Sequence, residues 1–290
     1  MTLKTQTPRK TVGFFSGFTL IRLTLLLVVL GLLLGGVFMG EDLMARWRVH
    51  SQVAQIADFD SAMATFYEKY EGIPGDLLAI TASREGLPAG DGTPGHGDND
   101  GIISPCNPGW QWHLGCETAL FWPQLAISGM ISGNFTADSR FTDGRLIHVS
   151  SMQPYLPQSP LAEGVYVAVW STAASQPSPR PQIPYGNYYE ISRIQGADGE
   201  KLLDDSKALT PAQSLAVDTK MDDGMPLSGR VVANGEADWP KDAWGTYAHP
   251  GESSCVGPDE HYNIGYILHA RTPLCHLAVQ MTCCKKPGAK

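Results

Sequence analysis

Acidic side chains that could bind a cation lie in and beside one loop-rich stretch of the chain. Residues 71–116 are dense in Gly, Pro and Asp, a composition typical of turns and loops. Asp91, Asp98 and Asp100 lie in this stretch, and Glu117 follows it directly. Carboxylate oxygens are the ligands that hard cations such as Ca²⁺ prefer. These four residues are therefore candidate calcium ligands.

A cluster of turns is the alternative explanation for the same residues. Asp98-Asn99-Asp100-Gly101 matches part of an EF-hand calcium loop. However, His96 stands where that loop would begin, and no Glu falls at its end. Asn and Asp also favour turns without any metal, because their side chains hydrogen-bond to nearby backbone groups. The sequence leaves both interpretations open.

The cysteines favour disulfides over a zinc site. There are six of them: Cys106, Cys116, Cys255, Cys275, Cys283 and Cys284. Short separation favours a bond between Cys106 and Cys116, while Cys255 and Cys275 would pair with each other or with the two adjacent cysteines near the C-terminus. Zinc with His276 as a further ligand is the alternative, but the chain has no Cys-x-x-Cys pair or compact four-ligand cluster. If this part of the chain is exported, the even number of cysteines indicates disulfides.

No arrangement of residues typical of a catalytic site occurs in the sequence. The chain lacks Gly-x-Ser-x-Gly, His-Glu-x-x-His and a glycine-rich phosphate-binding loop. Its eight histidines are scattered, so a catalytic triad drawn from them would be arbitrary. We therefore expect a protein that is not an enzyme.

The charge distribution argues against a nucleic-acid partner. The chain of 290 residues has a formal net charge of −8, with 21 basic and 29 acidic residues. Three basic residues and no acid lie in the first 17 positions, so the remaining 18 basic residues give a net charge of −11. Nucleic-acid binding needs a basic face to attract phosphates. We therefore expect no nucleic acid as a partner.

One apolar run near the N-terminus is long enough to cross a bilayer. Residues 18–40 read FTLIRLTLLLVVLGLLLGGVFMG, with Arg22 as the one charged residue. As a helix rises ~1.5 Å per residue, this run matches the hydrocarbon thickness. Basic residues precede the run, and Glu41 and Asp42 follow it. This bias predicts a cytoplasmic N-terminus and an exported body.

The run SGFTLIRLTLLLVVLGLLLGG, residues 16–36, resembles the prepilin N-terminus of type IV pilins and type II secretion pseudopilins. The resemblance implies cleavage by a prepilin peptidase after Gly17, followed by methylation of the new N-terminal Phe18. Gly31 matches a glycine of the family's membrane helix. The resemblance also implies other pilins or pseudopilins as partners through this helix, and the bacterial inner membrane as the location before assembly.

Arg22 departs from the family pattern. The family has Glu at this position, and its carboxylate is thought to pair with the N-terminal ammonium of a neighbouring subunit. An arginine would repel that ammonium in a low-dielectric setting. Arg22 either extends to the cytoplasmic headgroups and strengthens orientation, or it marks a subunit that begins or ends a filament. Both explanations favour a minor subunit over a major one.

Helical periodicity continues past the apolar run. Apolar residues recur at three- and four-residue steps as far as Tyr70, and Gly72 and Pro74 then interrupt the pattern. Residues 18–70 are therefore predicted to form one long helix. Thr210, with Pro211 next and Gln213 three positions on, predicts the start of a further helix.

The rest of the chain predicts an antiparallel sheet with loop insertions. Residues 117–128 have helical spacing, and residues 171–184 are expected to form an exposed loop. Strand candidates are rich in β-branched and aromatic residues: 161–170, 185–194, 230–234 and 274–282. The expected fold class is α+β and pilin-like, with the long helix packed on the sheet.

Three functional hypotheses follow from this organisation. The predicted segments are a cytoplasmic leader (1–17), a transmembrane and assembly helix (18–40) and an extracytoplasmic globular domain (41–290). The first hypothesis is a structural subunit of a type IV pilus or a type II secretion pseudopilus. The second is an adhesin-like or tip subunit that binds through its globular domain. The third is an uncleaved single-pass anchor that presents a periplasmic or extracellular binding domain.

Overall fold

In the computed structural model, the described residues are 16–93, 95–106, 114–136, 146–172, 183–199, 201–204, 207–234, 255–257, 259–265 and 272–283. Within the first helix, the side chains of residues 16–19 and 34–42 are not among them. The chain divides into two compact units, residues 1–47 and 48–290. The fold is a mixed α+β arrangement of helices and an antiparallel sheet, as the sequence predicts.

The described part of the chain forms helices and strands with these bounds: α1 (Ser16–Tyr70), α2 (Ala79–Arg84), α3 (Glu117–Ile127), β1 (Leu146–His148), β2 (Val165–Thr172), β3 (Gly186–Asp198), β4 (Lys201–Asp204), α4 (Pro211–Met221), β5 (Val231–Asn234) and β6 (His276–Gln280). A short 3₁₀ turn, Val149–Ser151, follows β1. α1 ends at the predicted residue. The start of α4 also agrees with the sequence, because Thr210 and Gln213 form the reciprocal hydrogen bonds of a capping box.

β3 is the central strand of the sheet. Its first half pairs with β2 and β6, and its second half pairs with β1 and β4. β5 joins through β6, and all of these pairings are antiparallel. β2 has the sequence VYVAVWST, and each of its side chains is buried, so its β-branched and aromatic residues pack on both faces of the sheet.

The main core lies on the face of the sheet that meets the second half of α1. Ile56, Phe59, Met63 and Phe66 recur at helical spacing and are all buried. The ring of Phe59 lies 5.9 Å from the ring of Tyr189 on β3. On the opposite face of β3, Tyr188 stacks on Trp170 of β2 at 5.1 Å and belongs to a second, smaller apolar cluster. Alternate residues of β3 therefore pack into two cores.

A polar contact also joins α1 to the far side of the sheet. Arg230, the residue just before β5, donates a hydrogen bond to Asp60 at 2.5 Å. The Arg230 side chain also donates to the carbonyl of Gln280 at the end of β6. The side chains of Asp60 and Arg230 are only 13% and 25% exposed. This pair therefore fixes α1 against the last two strands.

Candidate functional site

Three carboxylates converge after the end of α1. Asp76, Asp98 and Asp100 each offer an oxygen within 4.8 Å of the others, and we call these three residues the acidic centre. Asp76 is fully buried, Asp98 is half-buried and Asp100 is exposed. The acidic centre therefore lies between the protein interior and solvent.

The loop that carries Asp98 and Asp100 folds back over Asp76. The Asp76 carboxylate accepts hydrogen bonds from the backbone N–H groups of Asp100 (3.1 Å) and Gly101 (2.7 Å). Asp98 also accepts a hydrogen bond from the Asp100 N–H at 3.1 Å, as in a turn stabilised by an Asx side chain. These bonds hold the side chain of Asp76, which directly follows the Pro-Gly turn, against the loop that carries Asp98 and Asp100.

Glu117 fixes the same loop to the N-terminus of α3. Its Oε1 accepts a hydrogen bond from the Gly97 N–H at 2.8 Å, and its Oε2 accepts one from the Ser104 N–H at 2.7 Å. Glu117 is the first residue of α3 and is fully buried, in the position where a helix dipole favours a carboxylate. Because both of its oxygens bind the loop backbone, Glu117 lies beside the acidic centre.

Burial and mutual repulsion favour the protonated forms of the two buried acids. Burial first, and then the charges of Asp100 and Asp98, raise the pKa of Asp76 to about 8. Burial, and then the charge of Asp76, raise the pKa of Glu117 to about 9. At neutral pH Asp76 and Glu117 are therefore protonated. A bound divalent cation would instead compensate the negative charge of their ionised forms.

Asp91 lies outside the acidic centre, in contrast to the sequence-based set of ligands. Its Oδ1 accepts hydrogen bonds from the Thr93 N–H (3.0 Å) and hydroxyl (2.5 Å), and it lies 2.9 Å from Nδ1 of His96. The hydrogen bonds from Thr93 hold the pKa of Asp91 well below its usual value. The acidic centre includes Asp76, which the sequence-based set omits. Its signal was the Pro-Gly-Asp turn directly after a helix end, which places an acid near the loop.

The oxygen-only composition of the acidic centre suits calcium better than a transition metal. Asp76, Asp98 and Asp100 offer carboxylate oxygens, and Glu117 is adjacent. Ca²⁺ accepts six to eight such oxygens in flexible geometry, with backbone carbonyls and waters completing the shell. The acidic centre is therefore a part of the described chain that could hold the predicted cation.

Without divalent cations, the free energy of unfolding should fall as pH rises from about 4 to about 9. In this range the unfolded chain has ionised carboxylates, whereas folded Asp76 and Glu117 keep their protons up to about pH 8 and 9. The folded state therefore binds more protons than the unfolded state, and raising the pH costs stability. At pH 8, Ca²⁺ at a hundredfold excess over its Kd should raise Tm by about 5 to 10 °C. Thermal melts of the full chain measure both effects.

A matched pair of variants separates the acidic centre from the rest of the loop. Asp76→Asn should reduce the pH dependence to the part that Glu117 contributes and abolish the Ca²⁺ response, because it removes one of the two buried ionisable groups and a member of the acidic centre. Asp91→Asn should keep both responses, since the Asp91 carboxylate contacts Thr93 and His96 and lies outside the acidic centre. An unchanged Tm on addition of Ca²⁺ to the wild type would show that the carboxylates serve only as turn residues.

A second acidic group has an evident role in a turn. Asp222 ends α4 and accepts hydrogen bonds from the N–H groups of Arg230 and Val231. Asp223 accepts from the Met225 N–H at 2.8 Å. Together with Asp218 these residues also bring three carboxylates within 4.8 Å. The bonds show how the Asp222-Asp223-Gly224 segment positions the start of β5.

Asp218 is the buried member of this second group. The hydroxyl of Tyr262 donates a hydrogen bond to its Oδ2 at 2.7 Å, and the Gly224 N–H donates to its Oδ1 at 3.1 Å. Burial is the main cause that raises the pKa of Asp218 to about 6. Because Tyr262 lies between Cys255 and Cys275 in the sequence, this bond joins α4 to that segment.

Disulfides account for the described cysteines, so the zinc alternative is wrong for them. Cys106 bonds to Cys116, which confirms the pairing based on proximity, and Cys255 bonds to Cys275, one of the alternatives that the sequence left open. Cys283 is not a free thiol, and Cys284 lies outside the described residues. A thiol oxidised to a disulfide offers no thiolate to zinc.

His276 also has a different role from that of a zinc ligand. Its Nε2 lies 3.6 Å from Oε1 of Glu190, and both side chains are fully buried. Glu190 also accepts a hydrogen bond from Nε1 of Trp170 at 2.9 Å. His276 therefore belongs to a buried polar contact within the sheet.

The predicted processing and assembly residues lie on α1. Gly17 and Phe18 are in its first turn, and their side chains are outside the described set. Arg22 is exposed, and a Cβ added at Gly31 would meet no atom within 4 Å. Among the residues whose placement is described, no helix has an apolar stretch long enough for a membrane crossing.

Comparison with protein-family models gives no match, and neither the curated proteins nor the solved structures include one with significant similarity to this chain.

Proposed function

We propose that the chain is a minor structural subunit of a type IV pilus or of a type II secretion pseudopilus. A prepilin peptidase cuts it after Gly17, and the apolar N-terminal helix then enters a filament. One observation carries the proposal: large apolar side chains of α1 stand exposed over residues 20–33, each with 46–72% of its surface accessible. These exposed apolar side chains lie on all sides of the helix, which supports the burial of this segment by lipid or by other helices.

The physical chemistry of this surface supports a transfer from membrane to filament. Apolar surface in water costs about 25 cal/mol per Å², so a stretch of Leu, Ile and Val needs an apolar environment. Lipid tails and a bundle of like helices are equally apolar, so the hydrophobic effect does not favour one over the other. Close packing between helices then determines whether the helix leaves the membrane for the filament. Gly31 offers an open backbone surface where a neighbouring helix approaches closely.

The proposed location follows from the charge pattern and the disulfides. The subunit begins in the bacterial inner membrane with a cytoplasmic N-terminus, and its body lies in the periplasm or outside the cell in a filament. Disulfides persist in such oxidising compartments, and two are formed in the body of this chain. Its partners are other pilins or pseudopilins, the prepilin peptidase and the membrane.

Arg22 favours a second candidate function. Without a carboxylate at this position, the pairing with a neighbour's N-terminal ammonium is lost, and an arginine adds repulsion. A chain that stays uncleaved would act as a single-pass anchor that presents a binding domain, such as an adhesin. The two functions differ in whether the first 17 residues remain.

We expect the protein from cells with a working prepilin peptidase to begin at Phe18, with or without a methyl group. Intact mass and N-terminal sequencing measure this directly. Gly17→Glu should prevent the mass change, whereas Gly13→Glu should not, since both place an acid in the leader but only the first alters the cleavage position. A mature wild-type chain that still begins at Met1 would exclude the filament subunit in favour of the anchor. The amount found in sheared filaments then separates a structural subunit from a tip adhesin.

A further inference from the structure

Cys116 has an unusual backbone conformation at the start of α3. Its φ of +53° and ψ of −124° lie in a region that residues with a Cβ rarely adopt. Such a conformation carries a cost and persists where the surrounding structure enforces it. Cys116 directly precedes Glu117, so its backbone sets the position from which the Glu117 side chain begins.

The disulfide of Cys116 joins the same two segments that Glu117 joins. Its partner Cys106 lies two residues after Ser104, whose N–H donates to Glu117 at 2.7 Å. Glu117 also accepts the Gly97 N–H at 2.8 Å. One covalent bond and two hydrogen bonds thus hold the loop against the first turn of α3.

The two disulfides differ in their access to solvent. Cys106 and Cys116 are both only partly buried. Cys255 and Cys275 are both fully buried. Thiol–disulfide exchange requires a thiolate to reach a sulfur atom, so exposure decides which bond reacts first.

We propose that the Cys106–Cys116 disulfide is a redox switch that holds Cys116 in its strained conformation and thereby keeps Glu117 bonded to the loop. When the bond is reduced, Cys116 relaxes and Glu117 moves away from the N–H groups of Gly97 and Ser104. The acidic centre then loses the attachment of its loop to α3. This inference is independent of whether the chain enters a filament.

The reductant is a dithiol, such as the active site of a thiol–disulfide oxidoreductase. One of its thiolates attacks a sulfur of the Cys106–Cys116 bond, forms a mixed disulfide and releases the other cysteine as a thiolate. Its second thiol then displaces the bound cysteine. The dithiol loses two electrons and becomes a disulfide, while Cys106 and Cys116 gain two electrons and, with two protons, become thiols.

Titration of the full-length protein with dithiothreitol tests the order of reduction and its consequence. Alkylation and peptide mapping should find Cys106 and Cys116 modified before Cys255 and Cys275. Hydrogen exchange at the Gly97 and Ser104 amides should then accelerate about tenfold, the expected effect of releasing one strained residue. Reduction of the Cys255–Cys275 bond first, or no change in exchange after selective reduction, would overturn the proposal.

Two double variants separate relief of strain from simple loss of a cross-link. Cys106→Ala with Cys116→Ala should show the accelerated exchange without any reductant, because an alanine is also strained at this positive φ and, with no disulfide to hold it, relaxes. Cys106→Ala with Cys116→Gly should keep exchange within about twofold of the oxidised wild type, because glycine adopts a positive φ readily. Equal exchange at Gly97 and Ser104 in both variants would show that strain at Cys116 has no role.

Discussion

Replacing Trp122 by alanine is expected to lower the free energy of unfolding by about 4 kcal/mol. Trp122 on α3 is fully buried, and its ring centroid lies 4.7 Å from that of Phe59 on α1 and 6.3 Å from that of Tyr189 on β3. Phe121 adds an edge contact at 4.8 Å. Truncation would leave a cavity where α1, α3 and the sheet meet, and such a cavity cannot collapse fully.

The control for this prediction is Trp122→Phe. Among the described residues, no group accepts a hydrogen bond from Nε1 of Trp122. Phenylalanine removes this buried donor and keeps most of the aromatic contacts, so its cost should be about 1 kcal/mol. Urea unfolding followed by circular dichroism compares the variants without depending on tryptophan emission. Equal losses in the two variants would show that the aromatic ring retained by phenylalanine adds no stability, and would contradict the cavity argument.

Replacing Gly75 by alanine should cost about 3 kcal/mol. Gly75 has a φ of +87°, which costs an alanine about 1 kcal/mol. A Cβ at this position would also lie 2.4 Å from the carbonyl oxygen of Glu117, so the turn before Asp76 must separate from α3. The Gly75 N–H bond to Oε1 of Gln124, at 2.7 Å, would be lengthened by the same movement.

Gly86→Ala is the matched control, because it has the same backbone requirement without the contact. Gly86 has a φ of +70°, and a Cβ there would meet no atom within 4 Å. We expect this variant to lose only about 1 kcal/mol. Chemical denaturation of both variants gives the difference. A difference near zero would show that the turn at Gly75 yields without disturbing α3.

Local signals in the sequence predicted the elements that have clear boundaries. The end of α1 at Tyr70 followed from the loss of helical periodicity before Gly72 and Pro74. The start of α4 followed from Thr210 and Pro211, whose capping chemistry is local. β5 and β6 lie within predicted strand segments for the same reason, since each is a short, largely apolar run.

Elements that depend on distant partners were missed or misjudged. β1 and β4 are short, and each is a strand because it pairs with the second half of β3, which extends four residues beyond its predicted end at residue 194. The expected exposed loop at residues 171–184 was wrong at its start, because Ser171 and Thr172 are buried in β2. Ser171 donates a hydrogen bond to the carbonyl of Ile103, a contact that no local pattern indicates.

The candidate site shows the same division. Asp98 and Asp100 were identified from their own loop, since alternating acids are visible in the sequence. Asp76 was missed because its membership depends on the loop folding back by more than 20 residues to donate the Asp100 and Gly101 N–H groups. Asp91 lies apart from the acidic centre because its carboxylate bonds to Thr93, a contact that sequence proximity could not show.

The position of β6 has a consequence for how the newly synthesised chain folds. β6 lies near the C-terminus, between β3 and β5, and the backbone N–H of Thr282 donates to Asp60 on α1. A chain that stops before His276 would leave both neighbouring strands with unpaired backbone edges, which invite aggregation and proteolysis. The sheet is therefore completed only after the chain as far as β6 has left the ribosome. Truncated chains are therefore expected to be degraded, because their unpaired strand edges are accessible to proteases.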